Sequence, residues 1–199
     1  FTHRIIEMFM VEANEVTAEL FDNLDIPMIR RVHPDPSSFD IDELRQFARV
    51  AGYNIPSKPT RKELQELLNS VRGKPTAQAV HFAVLKTLSK AEYAPMPVGH
   101  FALASEHYTH FTSPIRRYPD LVVHRAIDAY LQAKGDDKGG KNKKKTIKGM
   151  LDDKRVPDEV KLGEIGKHCS TTERNSEAAE RQLRYFLVLQ LLAEHLGED

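Results

Sequence analysis

Apolar side chains recur at three- and four-residue steps through most of this 199-residue chain, and prolines and glycines break that rhythm at only a few places. Such a period is that of helices with one covered face, so the chain is expected to be built mainly of helix. Ile5, Ile6, Phe9, Met10, Ala13, Val16 and Leu20 predict an amphipathic helix over residues 3–21. Asp40 with Glu43, and Thr60 with Glu63, have capping-box spacing and predict two short helices ending near Gly52 and Gly73. Their inner faces are Leu44, Phe47, Ala48 and Ala51, then Leu64, Leu67, Leu68 and Val71. Residues 75–91 predict a further helix, with Pro75 early, where its missing N–H is harmless. Pro114 is expected to start a helical turn through Arg116, and Pro119 either kinks it or opens the next helix, through Leu131. Ser170 with Glu173 predicts the start of a last long helix whose inner face is Leu183, Phe186, Leu187, Leu191 and Leu192. A short strand fits residues 28–32 and an extended segment residues 100–105. The expected architecture is helix-dominated α+β with a few short strands.

Composition bounds what this fold could serve. With 40% hydrophobic and 29% charged residues there is material for a core and too much of it for a disordered tail. Lys plus Arg equals Asp plus Glu at 29 each, which removes the global basic excess that often marks nucleic-acid binding and leaves only local patches. Residues 134–149 hold seven lysines and four glycines and are expected to form a flexible loop, solvated and at most weakly attractive to a polyanion. The one cysteine, Cys169, excludes an internal disulfide and a multi-cysteine zinc finger, and suits a reducing compartment, hence a cytoplasmic expectation. The apolar run from Tyr185 to Ala193 is broken by Gln190 and falls short of the ~20 residues needed to span a bilayer, so no membrane partner is expected. The chain opens on Phe1, Thr2, His3 and Arg4, already within helical periodicity, and reads as a piece of something longer.

Chemistry concentrates between His107 and Asp120. Ser113 is a good N-cap and Pro114 a good first helical residue, so unpaired N–H groups would create positive potential beside Arg116. Arginine offers a planar charged fork that fits phosphate oxygens, and Tyr108, Phe111 and Tyr118 could supply faces for stacked bases. That combination describes a nucleic-acid backbone site. The same residues also read as arginines solvating a helix end above a core of aromatics, and the pattern alone leaves both open. His100, His107, His110 and His124 could suggest a metal centre, but no His-Glu-x-x-His arrangement accompanies them. Cys169 follows His168 without a triad in view and reads as a small half-buried residue.

Residues 108–125, Tyr-Thr-His-Phe-Thr-Ser-Pro-Ile-Arg-Arg-Tyr-Pro-Asp-Leu-Val-Val-His-Arg, resemble the signature of the RNB catalytic domain of the RNase II and RNase R family of 3′→5′ exoribonucleases. His3 to Glu15, Arg31-Val32-His33, Gly99 to Leu103, Cys169 to Arg174 and Ala179-Glu180-Arg181 join the resemblance in the family's order, and the Tyr-Thr-His-Phe form is closer to RNase R. The resemblance implies that residues 1–199 are the C-terminal portion of a single RNB domain. It implies processive hydrolysis of single-stranded RNA to nucleoside 5′-monophosphates, with Mg²⁺ as cofactor and Arg116 as the catalytic arginine. By the same resemblance Glu7 would sit near the 3′-terminal ribose. Glu180 and Arg181 would face the RNA path, as they do in some members. Tyr108, His110, Thr112, Ser113 and Arg117 would complete the substrate contacts, with Arg117 also suited to a neighbouring carboxylate. The family's closely spaced metal-binding aspartates have no counterpart here, and Asp136-Asp137 and Asp152-Asp153 are poor substitutes beside the lysine-rich stretch. The metal ligands are therefore expected upstream of residue 1, and the chain alone is expected to be inactive. The alternative is a non-catalytic RNA-binding relative that keeps the arginine turn.

Overall fold

Helical periodicity becomes seven helices and two short strands in the computed structural model, which describes residues 2–50, 52–136 and 143–194. They are α1 (Thr2–Leu24), β1 (Arg30–Val32), α2 (Ser38–Val50), α3 (Arg61–Ser70), α4 (Ala77–Thr87), β2 (Glu92–Ala94), α5 (Tyr118–Asp136), α6 (Lys143–Leu151) and α7 (Glu159–Glu194). The fold is helix-dominated α+β. It divides into two compact units: Phe1–Val32, Glu92–His100 and Ser105–Asp199 in the first, His33–Ala91 and Phe101–Ala104 in the second.

In the first unit β1 and β2 pair antiparallel, setting Arg30 opposite Ala94, Arg31 opposite Tyr93 and Val32 opposite Glu92. The core gathers Ala18 and Phe21 of α1, Ile26, Met28 and Ile29, Tyr93 of β2, Val122, Val123, Ala126 and Ala129 of α5, Met150 of α6, and Leu162 and Cys169 of α7. The covered face of α1 is Asn14, Thr17, Ala18 and Phe21. The expected face is largely wrong: Ile5, Ile6, Phe9 and Val16 are exposed. Period establishes that a helix has an apolar side, not that the described residues cover it.

The stretch expected as a loop over 134–149 is helical at both ends, as the end of α5 and most of α6. Thr146 and Met150, four residues apart, are both buried and anchor α6, a helical spacing that the surrounding lysines outweighed. Residues 137–142 lie outside the described residues.

Helix α7 runs unbroken for 36 residues, so Ser170 caps nothing. The cap is Asp158, whose carboxylate accepts the Lys161 N–H at 2.8 Å. Ser170 instead accepts the Tyr93 N–H at 2.9 Å and ties α7 to β2. Backbones meet closely there: a Cβ on Gly166 would lie 2.4 Å from the Tyr93 carbonyl oxygen. The expected inner face of the last helix is also corrected, since Leu183, Phe186, Leu187, Leu191 and Leu192 are each more than half exposed. Residues 100–105 are not extended: a 3₁₀ turn, Phe101–Leu103, lies between His100 and Ser105, which form an isolated bridge.

The second unit packs α2, α3 and α4 around Leu44, Ala48, Ile55, Leu64, Leu67, Val71, Val80 and Val84. The capping box of α3 is present, with Glu63 N–H donating to Thr60 Oγ1 at 3.3 Å and Thr60 N–H to Glu63 Oε2 at 2.7 Å. Helix α2 starts earlier than expected. Ser37 Oγ accepts the Asp40 N–H at 3.2 Å, so Asp40 is the third helical residue rather than the cap.

Candidate functional site

Strand pairing sets the floor of the site. Facing Tyr93 in the register, Arg31 places its guanidinium 4.6 Å from the centre of that ring and forks onto Glu173 of α7 at 2.6 and 3.1 Å. The Tyr93 hydroxyl lies 2.8 Å from His110 Nδ1. Burial pushes the Tyr93 hydroxyl up to about 12. Burial, with Arg117 and Arg31 adding positive potential, pushes His110 down to about 3. At neutral pH the hydroxyl therefore donates to Nδ1 of a neutral imidazole whose proton is on Nε2. His110 is a fixed neutral group there, not a proton donor of imidazolium type.

The segment from His107 to Asp120 is laced to the rest of the first unit by side chains the sequence did not single out. Asn14 donates to the Tyr108 hydroxyl at 3.1 Å and accepts the Phe111 N–H at 2.9 Å. Asp22 holds both the buried Arg30 and, at 2.5 Å, His107 Nδ1. Thr109 donates to the Ile29 carbonyl at 2.7 Å. Asn14 stands three to four residues before Thr17 and Ala18 on the covered side of α1; that placement of a polar residue was the available signal.

Pro114 does not start a helix. Residues 114–116 form a turn in which the N–H groups of Arg116 and Arg117 both donate to the Ser113 carbonyl, at 3.3 and 3.1 Å. The expected anion site on free N–H groups beside Ser113 is accordingly absent: the Ser113 N–H donates to Asp120 Oδ1 at 2.8 Å. The same oxygen accepts Arg117 Nη2 at 2.7 Å. Asp120, fully buried in the first turn of α5, thus ties the turn to the helix through two donors. Pro119 takes the other sequence option and sits in that first turn.

Against this turn lies α7, and between them is a cleft of about 470 Å³ lined by residues that include Arg116, Arg117, Tyr118, Glu173 and Glu180. Arg116 is exposed, and among the described residues its guanidinium makes no hydrogen bond or ion pair. Its neighbour Arg117 is committed to Asp120. Of the expected site residues the cleft brings together Arg116, Arg117 and Glu180. Glu180 also accepts from Arg184 at 2.7 Å. Arg181 and Glu7 are exposed on α7 and α1 and do not line it. Tyr108 is only 7% exposed and is packed edge-on against His100 and His110, so it braces the segment and offers no open face to a base. Phe111 is stacked on His124, whereas Tyr118 is half exposed at the cleft. Thr112 and Ser113 are half-buried, the first with its hydroxyl oxygen unsatisfied.

Among the described residues no group of three His, Cys, Asp or Glu side chains could hold a metal ion. His124 bonds the Phe111 carbonyl at 2.9 Å, and His100, His107 and His110 are held as described above. Asp153 lies on Arg155 at 2.6 Å. Burial raises the Cys169 thiol above its ordinary value, away from the thiolate. Among the described residues no helix is long and apolar enough to cross a membrane.

The RNB domain family model matches residues 1–133, which contain both strands and the Arg116 turn. The chain belongs to the RNB domain family. Ribonuclease R of Thermotoga maritima is 36% identical over 204 residues, covering 98% of this chain and 26% of the relative. The RNB chain spans about a quarter of the curated relatives it matches. Mycoplasma genitalium RNase R, solved with ribose-methylated single-stranded RNA, superposes with a TM-score of 0.79 at 30% identity over 97% of this chain and 29% of that one. Yeast Ssd1, described as a pseudonuclease, shares the RNB fold with a TM-score of 0.63 at 24% identity, over 83% of this chain and 19% of that one.

Proposed function

We propose that this RNB chain is the arginine-bearing, C-terminal portion of one catalytic domain in a processive 3′→5′ exoribonuclease. That enzyme acts in the cytoplasm on single-stranded RNA and releases nucleoside 5′-monophosphates. The observation that carries the reading is Arg116, an uncommitted guanidinium held over a cleft by a turn that a buried carboxylate fixes. Its planar fork suits the oxygens of a phosphodiester and would offset negative charge that grows as the linkage breaks. Arg117 holds the turn, Tyr118 offers a face to a base, and Glu180 stands across the cleft as a hydrogen-bond acceptor. Glu7 is assigned to the terminal ribose by the family pattern alone.

The family pattern implies Mg²⁺, and among the described residues no group of side chains fits one. In this reading the carboxylates for the metal lie in sequence outside these 199 residues, and the chain alone hydrolyses nothing. The test is release of mononucleotides from single-stranded RNA by the full-length protein. Arg116→Ala is expected to lower the rate by about 10²-fold or more, well beyond its effect on RNA affinity. Equal losses in rate and affinity would reduce Arg116 to a binding residue. RNA binding by the native protein with no cleavage at any Mg²⁺ concentration would assign it to the non-catalytic alternative.

A further inference from the structure

Charge in this chain is balanced in total but not in place. Residues 134–149 carry seven lysines against two aspartates, a net +5 in a chain of formal charge +0, so the remainder carries −5. Within α6, Thr146 and Met150 are buried, which fixes the helix's orientation and turns Lys144, Lys145 and Lys148 outward. Lys134 is exposed at the end of α5, its ammonium 5.8 Å from the Tyr130 ring centre, and Lys143 bonds the Asn23 carbonyl at 2.8 Å. Helix α6 has no acidic residue to interleave with these cations. Lys144 and Lys148 are four apart, a spacing at which like charges repel, and three lysines fill a first turn that favours carboxylates. Asp128 and Asp153 are both held by Arg155, at 2.5 and 2.6 Å, leaving Asp152 in the cleft of about 380 Å³ beside Lys145 and Lys148.

We propose that Lys144 and Lys148 of α6, with Lys134, form a second, sequence-independent contact for the phosphate backbone of RNA, separate from the Arg116 turn. The inference rests on RNA being the ligand, not on its hydrolysis. Helix α5 separates the two places: from Tyr118 to Lys134 its axis covers about 24 Å. Lysine suits this task as a mobile point charge that takes phosphates without reading bases. Its contribution is to affinity and capture rate, and it leaves the chemical step alone.

The test is the full-length protein with Lys144→Gln and Lys148→Gln combined, and a labelled single-stranded homopolymer RNA titrated across about 50 to 200 mM salt. The expected result is a plot of log affinity against log salt shallower by about 1.4, with the hydrolysis rate at saturating RNA unchanged. The matching double Lys→Arg variant should keep the native slope. A native slope in the Gln variant overturns the proposal, as does an Arg variant that loses as much as the Gln variant. If poly-glutamate binds the native protein and not the Gln variant while RNA binding is unaltered, the face belongs to an acidic protein and the proposal also fails. Lysine-dependent RNA binding without mononucleotide release sinks the hydrolase reading while supporting this one, and a native protein that binds no RNA sinks both.

Discussion

Removing the Asp120 carboxylate would strand two donors at once, the Ser113 N–H and the buried side of Arg117. Asp120→Ala is expected to destabilise the protein by about 3 kcal/mol or more, because it leaves a largely buried guanidinium without its counter-charge. Asp120→Asn, which retains an acceptor at Oδ1, should cost less. Urea denaturation of the two variants measures the difference, and equal midpoints for Ala and native protein would show that the clamp is idle. His110 gives a second expectation. Its folded state binds a proton only near pH 3, while the unfolded chain binds one near the ordinary 6.5. Between those values the unfolded state holds more protons, so stability rises with pH across the window and is fully present above about 6.5. Melting temperature should fall as pH drops from 6.5 toward 4, and His110→Gln should flatten that fall. An unchanged acid profile in the variant would put the sensitivity elsewhere.

Two glycines of α7 have opposite consequences, Gly166 packed against β2 and Gly163 facing open space. Gly166→Ala would push a methyl group into the Tyr93 carbonyl and is expected to cost about 2 kcal/mol. Gly163→Ala, with nothing within 4 Å, should be neutral or stabilising by up to about 1 kcal/mol through helix propensity. Thermal melts of the pair decide it, and equal behaviour would mean the close approach is slack. Neither outcome was legible beforehand, because the start of this helix was placed at Ser170. Local signals were strongest where a cap and an inner face coincide, as at Thr60 and Leu64 of α3. They failed where a competing signal lay nearby: Ser-x-x-Glu inside a continuous helix resembles a start, and lysines masked the two buried residues of α6. Of the site, the Arg116 segment was legible from its motif. Its supports, Asn14, Asp22 and Tyr93, were not, because each is a single polar or aromatic residue whose role depends on a distant partner.

Across the whole chain, the exposed apolar side chains of α1 and of the second half of α7 are the widest departure from the sequence expectation of covered faces. Large exposed apolar surface favours association. The 199-residue chain alone should gain mass with concentration in sedimentation, and Leu187→Lys with Leu191→Lys should reduce that gain; a monomer at all concentrations would contradict it. The length of α7 carries one more implication. Glu180 stands about 21 Å beyond Gly166 along the axis, and the Ser170 and Glu173 contacts hold the helix between them. From Glu173 to Glu180 the axis covers about 10 Å, so a tilt of about five degrees beyond the Arg31 fork carries the carboxylate only about 1 Å relative to the arginine turn. The ion pair that steadies one cleft wall is thus itself part of that wall.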